Sequence, residues 1–303
     1  GIDMNVKPQT RFTNHRGVGK YADISFETEV QGEKKQRVPQ RVRTKIHYFE
    51  AGQEHRRTLL LLHGTGQSAY FFAHNFEALS RHFRVILPDL PGHGYSGCPE
   101  MDYAIEDYSV ALEALLQRLG IGQVFIVAYG QAAGYAADFC CYNPGRVQRM
   151  VFINPGAYEN TRALYARQFC GPLGGYFAGR LARFSQGEKY WKHMLLDQTM
   201  LTDRDIEEFC RPFSRNGVRL CARLSALNYL EEDLEGAIPA LDCPVLVISG
   251  VDDAVSSRRD TQYFCDTIPD AYFMQVHGCG ALPHFEKPAI VNKGISKFLL
   301  GKL

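Results

Sequence analysis

The chain has no apolar run of the ~18 residues that a bilayer-spanning helix needs, and no signal peptide is visible at its start. Neither sign of charge dominates. The 34 Lys and Arg stand against 33 Asp and Glu, so no broad field draws the protein toward nucleic acid or an anionic membrane. Tryptophan occurs once, at Trp191. Cysteine is not scarce, but the nine cysteines include no C-x-x-C pair and no Cys/His spacing typical of a metal site. An odd number of scattered cysteines reads as buried thiols in a reducing compartment. The expectation is a cytoplasmic protein with no metal and no cofactor.

At 303 residues and 45% hydrophobic composition, the chain can bury a sizeable core. One local charge excess stands out: residues 1–45 hold ten Lys and Arg against five Asp and Glu. Period-two alternation in "KYADISFETEV" reads as a strand, and "RVRTKIHYFEAG" as its antiparallel partner. Short buried runs then alternate with helical patterns. "TLLLLHG", "FRVILPDLPGHG", "QVFIVAYG" and "VQRMVFINPGA" are strands; "SAYFFAHNFEALSRH", "AIEDYSVALEALLQRLG" and "QAAGYAADFCCYNP" are helices. After Ala157 no buried β-run appears for roughly eighty residues, only helical segments such as "RALYARQFC" and "DRDIEEFCRPF". Alternation resumes with "CPVLVISG", "SSRRDTQYFCDTIP", "AYFMQVHG" and a last helix near "FEKPAIVNKGISKFLL". The pattern predicts an α/β fold with a mainly parallel central sheet and helices on both faces. A basic β extension would occupy residues 1–42, the core residues 43–157 and 243–303, and a helical insertion residues 158–242.

Four segments resemble, in order and spacing, the α/β-hydrolase superfamily in its cap-bearing branch. They are "LLLLHGTGQS", "VILPDLPGHGYSG", "VAYGQAAG" and "VLVISGVDDAVSS…VHGCGALPHFEKP". The resemblance covers roughly residues 43–300, and it implies that the helical insertion is a cap over the site. In that family the nucleophile sits on a strained G-x-S-x-G elbow. Here Gly130 stands at the nucleophile's place, with Tyr129 and Gln131 beside it. The family's catalytic His lies in a G-H-x-x-x-x-E-x-P context, where this chain has Ala281. Only the acid position survives, at Asp253, with Asp252 the weaker register.

The resemblance also implies an oxyanion hole built from the backbone N–H groups of Thr65, in "HGTG", and Gln131. His63, Tyr129 and His284 are candidates for pocket lining or proton transfer. For His284 the alternative is an anchor of the final helix, and for Tyr129 it is plain pocket lining. His93 reads as structural; Asp89 reads as a turn-capping carboxylate, with an alternative acid as the other reading, and Cys279 as a packing thiol, with a displaced nucleophile as the other. A triad without nucleophile or base predicts a pseudo-hydrolase that binds a small apolar or acyl ligand, or a protein partner. Two readings stand beside it. One is an enzyme of non-hydrolytic chemistry (a lyase, cyclase or isomerase) using the oxyanion hole. The other is an ester or C–C hydrolase whose blanks were engineered.

Overall fold

The computed structural model describes residues 19–34, 36–156, 195, 197–230, 232–250 and 258–302. One sheet organises them. Its strands are β1 (Lys20–Gln31), β2 (Arg37–Ala51), β3 (Thr58–Leu62), β4 (Arg84–Pro88), β5 (Val124–Tyr129), β6 (Val147–Ile153), β7 (Val245–Gly250) and β8 (Ala271–Val276). They lie in the order β1-β2-β4-β3-β5-β6-β7-β8. β1 runs antiparallel to β2, and β2 antiparallel to β4; every other pairing is parallel.

The central strands are apolar throughout because helices cover both faces. Leu60 and Leu62 of β3 join Ile126 and Ala128 of β5 in one core, while Leu59, Leu61 and Val127 face the other. The first core is closed by α2 (Ile105–Arg118), α3 (Ala132–Tyr142) and Phe264 of α7 (Arg258–Thr267). The second is closed by α1 (Phe76–Ser80) and α9 (Pro288–Leu299), through residues such as Phe76, Leu79, Ile295 and Phe298. β1 differs: Ala22, Ile24 and Phe26 are buried while Tyr21, Asp23 and Glu27 are exposed. Such alternation belongs to a strand covered on one side only.

One expected element is not continuous. "SAYFFAHNFEALSRH" has a helical pattern, yet it forms a 3-10 turn at Ala69–Phe72 followed by the short α1. Asn75 lies between the two. Its side-chain Nδ2 donates to the His284 carbonyl at 2.9 Å and to Asn292 Oδ1 at 2.7 Å. The Ala69 N–H goes to Asp89 Oδ1 at 2.8 Å. Side-chain partners of this kind compete with helical pairing.

Between β6 and β7 the described residues contain no strand. They form α4 (Asp203–Cys210), α5 (Val218–Leu227) and α6 (Glu232–Glu235). α4 starts at a capping box: the Asp205 N–H donates to Thr202 Oγ1 at 3.2 Å and the Thr202 N–H to Asp205 Oδ2 at 3.0 Å. The helix expected at "RALYARQFC", and Trp191, lie outside the described residues. α4 and α5 pack on the loops that leave β3 and β4. Phe209 stacks on Phe71 with centroids 3.9 Å apart, and the Tyr70 hydroxyl donates to Asp205 Oδ1 at 2.8 Å. Ser225 meets the Tyr108 hydroxyl at 2.6 Å, and Arg215 Nη1 donates to the Ser96 carbonyl at 3.0 Å.

Candidate functional site

The loops that carry chemistry in the sequence reading all leave the C-terminal ends of parallel strands, where open α/β sheets form their crevices. "HGTG" follows β3, the elbow follows β5, and Ala281 follows β8. Asp253 and Asp252 lie just after β7 but outside the described residues.

β5 ends at Tyr129 and α3 begins at Ala132, which leaves Gly130 and Gln131 to make the turn. Gly130 has φ +57°, in the left-handed region. Its N–H donates to the Ile153 carbonyl at 3.0 Å, and its carbonyl accepts the Ala133 N–H at 3.2 Å. A Cβ built at this position meets nothing within 4 Å among the described residues. The turn therefore aims a side chain at this position away from every described residue.

Thr65 and Gln131 come together across the turn: the Thr65 hydroxyl donates to Gln131 Oε1. Gln131 is 2% exposed, and its Nε2 has no hydrogen-bond partner among the described residues. No acceptor among the described residues takes its backbone N–H either. Gln131 thus presents unsatisfied N–H donors at the start of α3, where the helix dipole favours an electron-rich oxygen. Tyr135, one helical turn on, faces the same threonine. Burial raises the pKa of its phenol, the Thr65 hydroxyl offsets this in part, and the group stays neutral.

The loop carrying Ala281 is held from three sides. The Ala281 carbonyl accepts the Tyr129 hydroxyl at 2.6 Å and Asn154 Nδ2 at 2.9 Å. Asn154 Oδ1 takes the Gly250 N–H at 3.1 Å, so one side chain ties the ends of β6 and β7 to this loop. The Glu286 carboxylate accepts the Gly280 N–H at 2.9 Å and the Asp197 N–H at 2.8 Å. Ala281 is buried. Sequence reasoning missed Asn154 and Glu286 as determinants of this geometry. Asn154, at φ +43°, left one signal: Asn tolerates the left-handed region that a sharp exit from a strand requires.

The candidate proton carriers are placed as follows. Tyr129 holds the Ala281 carbonyl through its hydroxyl. His284 is fully buried between Phe72 and Tyr129, with ring centroids at 4.8 and 5.1 Å. Burial first, then the neighbouring His74, lower its pKa to about 3, the Phe71 backbone opposing them. His63 has both ring nitrogens committed to backbone: Nε2 accepts the Leu90 N–H at 2.9 Å and Nδ1 faces the Gly64 carbonyl at 2.8 Å. A nitrogen that accepts carries no proton, so Nδ1–H is the donor and the ring is neutral. Burial lowers its pKa further, with the Asp89 charge opposing. His93 is pinned to the Pro91 carbonyl at 3.1 Å, and burial lowers its pKa to about 3.

Asp89 accepts the N–H groups of Ala69 and Tyr95 at 2.8 and 2.9 Å and pairs with His47 Nδ1 at 2.8 Å. Burial alone would raise its pKa, but the His47 hydrogen bond and charge outweigh this and hold the carboxylate below its usual range.

The fold and the elbow together define a class. The chain matches the model of the alpha/beta hydrolase fold family over residues 57–288, and it belongs to that family. It is similar to an uncharacterized protein of Mycobacterium tuberculosis, 25% identical over 256 residues, which are 80% of this chain and 74% of the relative. Over a shorter stretch it is 31% identical to the (E)-2-((N-methylformamido)methylene)succinate hydrolase of Acinetobacter baylyi, across 39% of this chain and 43% of that enzyme. Among solved structures, Cfl2 of Burkholderia cenocepacia superposes with a TM-score of 0.74 at 18% identity, covering 97% of this chain and 98% of the other. Haloalkane dehalogenase DbeA of Bradyrhizobium elkani gives 0.73 at 20% identity, covering 92% and 98%. Among the described residues, no helix is long and apolar enough to cross a membrane.

Proposed function

We propose that this α/β-hydrolase-fold protein is a pseudo-hydrolase that binds a small apolar or acyl ligand without cleaving it. The observation that carries the reading is Gly130. The Gly130 backbone lies at φ +57°, and no described residue comes within 4 Å of where a Cβ would project. Its coupled partner position is Ala281, buried and equally without proton-transfer chemistry. Loss of triad members costs about 10⁴ to 10⁶ in rate and leaves only what the oxyanion hole and binding supply. Asp253 then remains as an acid position without a base to orient.

The ligand's oxygen would sit against the backbone N–H groups of Thr65 and Gln131, with the unpaired Gln131 Nε2 as a further donor. The helical segment 158–242 would serve as a cap and roof an apolar pocket. The rival reading, a lyase, cyclase or isomerase, asks Tyr129, His284 or Asp253 to move protons, and Asp253 lies outside the described residues. The Tyr129 hydroxyl is held on the Ala281 carbonyl, and an imidazole with a pKa of about 3 is a weak base at neutral pH. Both facts weigh against it.

Purified protein is expected to leave short p-nitrophenyl esters intact. Turnover that Asp253→Asn abolishes would overturn the reading. Native mass spectrometry of the freshly isolated protein is expected to find a co-purifying small molecule, displaced in the variant Gln131→Leu.

A further inference from the structure

Far from the elbow, the fold brings together three residues whose positions in the sequence give no hint of a site. Cys140 lies in the last turn of α3, while Asp242 and Cys243 lie just before β7. One sulfur from each cysteine and one carboxylate oxygen fall within 4.8 Å of one another. The Cys140 thiol donates to Asp242 Oδ1 at 3.8 Å and is in hydrogen-bond contact with Cys243. Both cysteines are 4% exposed, whereas Asp242 is exposed. Among the described residues no Lys, Arg or His pairs with the Asp242 carboxylate. Two buried thiols and a carboxylate oxygen, all within 4.8 Å of one another, form a donor set suited to a soft cation.

We propose that Cys140, Asp242 and Cys243 bind one thiophilic divalent cation of the zinc class, with a solvent molecule as fourth ligand on the exposed side. Zinc–sulfur bonds of ~2.3 Å and zinc–oxygen bonds of ~2.0–2.2 Å set tetrahedral edges of roughly 3.5–3.8 Å. The three donors need only small side-chain shifts to reach them. Two thiolates and a carboxylate favour a borderline-soft metal over magnesium or calcium, which take oxygen ligands. On binding, each thiol releases its proton to solvent; the bound cation with its three anionic ligands carries a net charge of −1.

The site joins the C-terminal end of α3 to the entry of β7, at the end of the helix opposite Gln131. At that place a bound cation would clamp α3, whose first turn follows Gln131. It stands independently of the pseudo-hydrolase reading.

The test uses the full chain, reduced and freed of metal with a chelator, and titrated with Co²⁺ as a spectroscopic probe. The expected result is one equivalent bound, with a near-ultraviolet thiolate-to-cobalt band and the visible absorption of a tetrahedral site. Cys140→Ser and Cys243→Ser are expected to lose the band, Asp242→Asn to weaken it, and Cys265→Ser to leave it intact. Should the serine variants fail to fold, alkylation of the intact wild-type protein gives a second readout: Zn²⁺ is expected to protect Cys140 and Cys243 selectively. Absence of a stoichiometric band, its survival in Cys140→Ser, or equal alkylation with and without Zn²⁺ would overturn the proposal.

Discussion

Gly130 and Gly250 are both glycines at strand ends, but for different physical reasons. At Gly130 the constraint is the backbone angle alone, because the space beside it is open. At Gly250 a Cβ would run into the Gly280 carbonyl oxygen. Gly130→Ala is therefore expected to cost about 1–2 kcal/mol, the price of a left-handed non-glycine residue, as read by urea denaturation. Gly250→Ala is expected to cost more, since backbone has to move. Equal costs would mean that the elbow is crowded and the nucleophile's space is not vacant. His284 supports a second residue-level prediction. Its folded pKa of about 3 lies below the ordinary value of 6.5. Between these values the unfolded chain takes up a proton that the folded chain refuses. Stability from the neutral ring is thus complete above pH ~6.5 and declines as pH falls toward 3. His284→Phe, which keeps an aromatic ring between Phe72 and Tyr129, should flatten this part of the stability–pH curve. An unchanged slope in the variant would count against a neutral, buried His284.

At the scale of elements, the loop after β4 is organised by one carboxylate. Asp89 gathers the start of the 3-10 turn through Ala69, its own loop through Tyr95, and β2 through His47. Removing the charge while keeping the shape, with Asp89→Asn, leaves a buried partner poorly satisfied. The expected loss is about 3–5 kcal/mol, measured by thermal or chemical unfolding. The sign of its pH dependence follows from its lowered pKa. The stabilisation is present above the unfolded carboxylate value near 4 and is lost as pH falls through the lower folded value. Asp89 and His284 therefore weaken the fold on the same, acid side, but in different windows. The sequence marked Asp89 as a turn cap on the strength of its place after a strand. It carried no trace of His47, which reaches it from β2, 42 positions earlier. The broken helix at Asn75 has the same origin: its local pattern is helical, and its partners lie more than 200 positions away.

For the whole molecule, the decisive experiment is restoration. Gly130→Ser with Ala281→His rebuilds the two blank positions. If this register is right and the rest of the site is intact, the double variant is expected to gain measurable esterase activity that the proposed reading denies to the wild type. A stable but inert double variant would mean that the site has drifted beyond those two residues. Much of the architecture was legible because it rests on local periodicity. Buried parallel strands are apolar throughout, α2 repeats at helical spacing, and β1 alternates with period two; each pattern records which face of an element meets water. The family resemblance was legible too, as motifs in a fixed order. Other features were not, because they depend on contacts between distant positions. The Ala281 carbonyl is held jointly by Tyr129 and Asn154, the Gln131 amide is left without a partner once Thr65 takes its oxygen, and Cys140 meets Asp242 and Cys243 across the end of α3. Sequence alone determined that this chain builds a hydrolase-like sheet, and it placed Gly130 in the turn after β5 and Ala281 in the loop after β8. Tertiary structure alone decided which polar groups among the described residues find a partner and which do not, because hydrogen-bond saturation is settled only when residues far apart in the chain are brought within 3 Å.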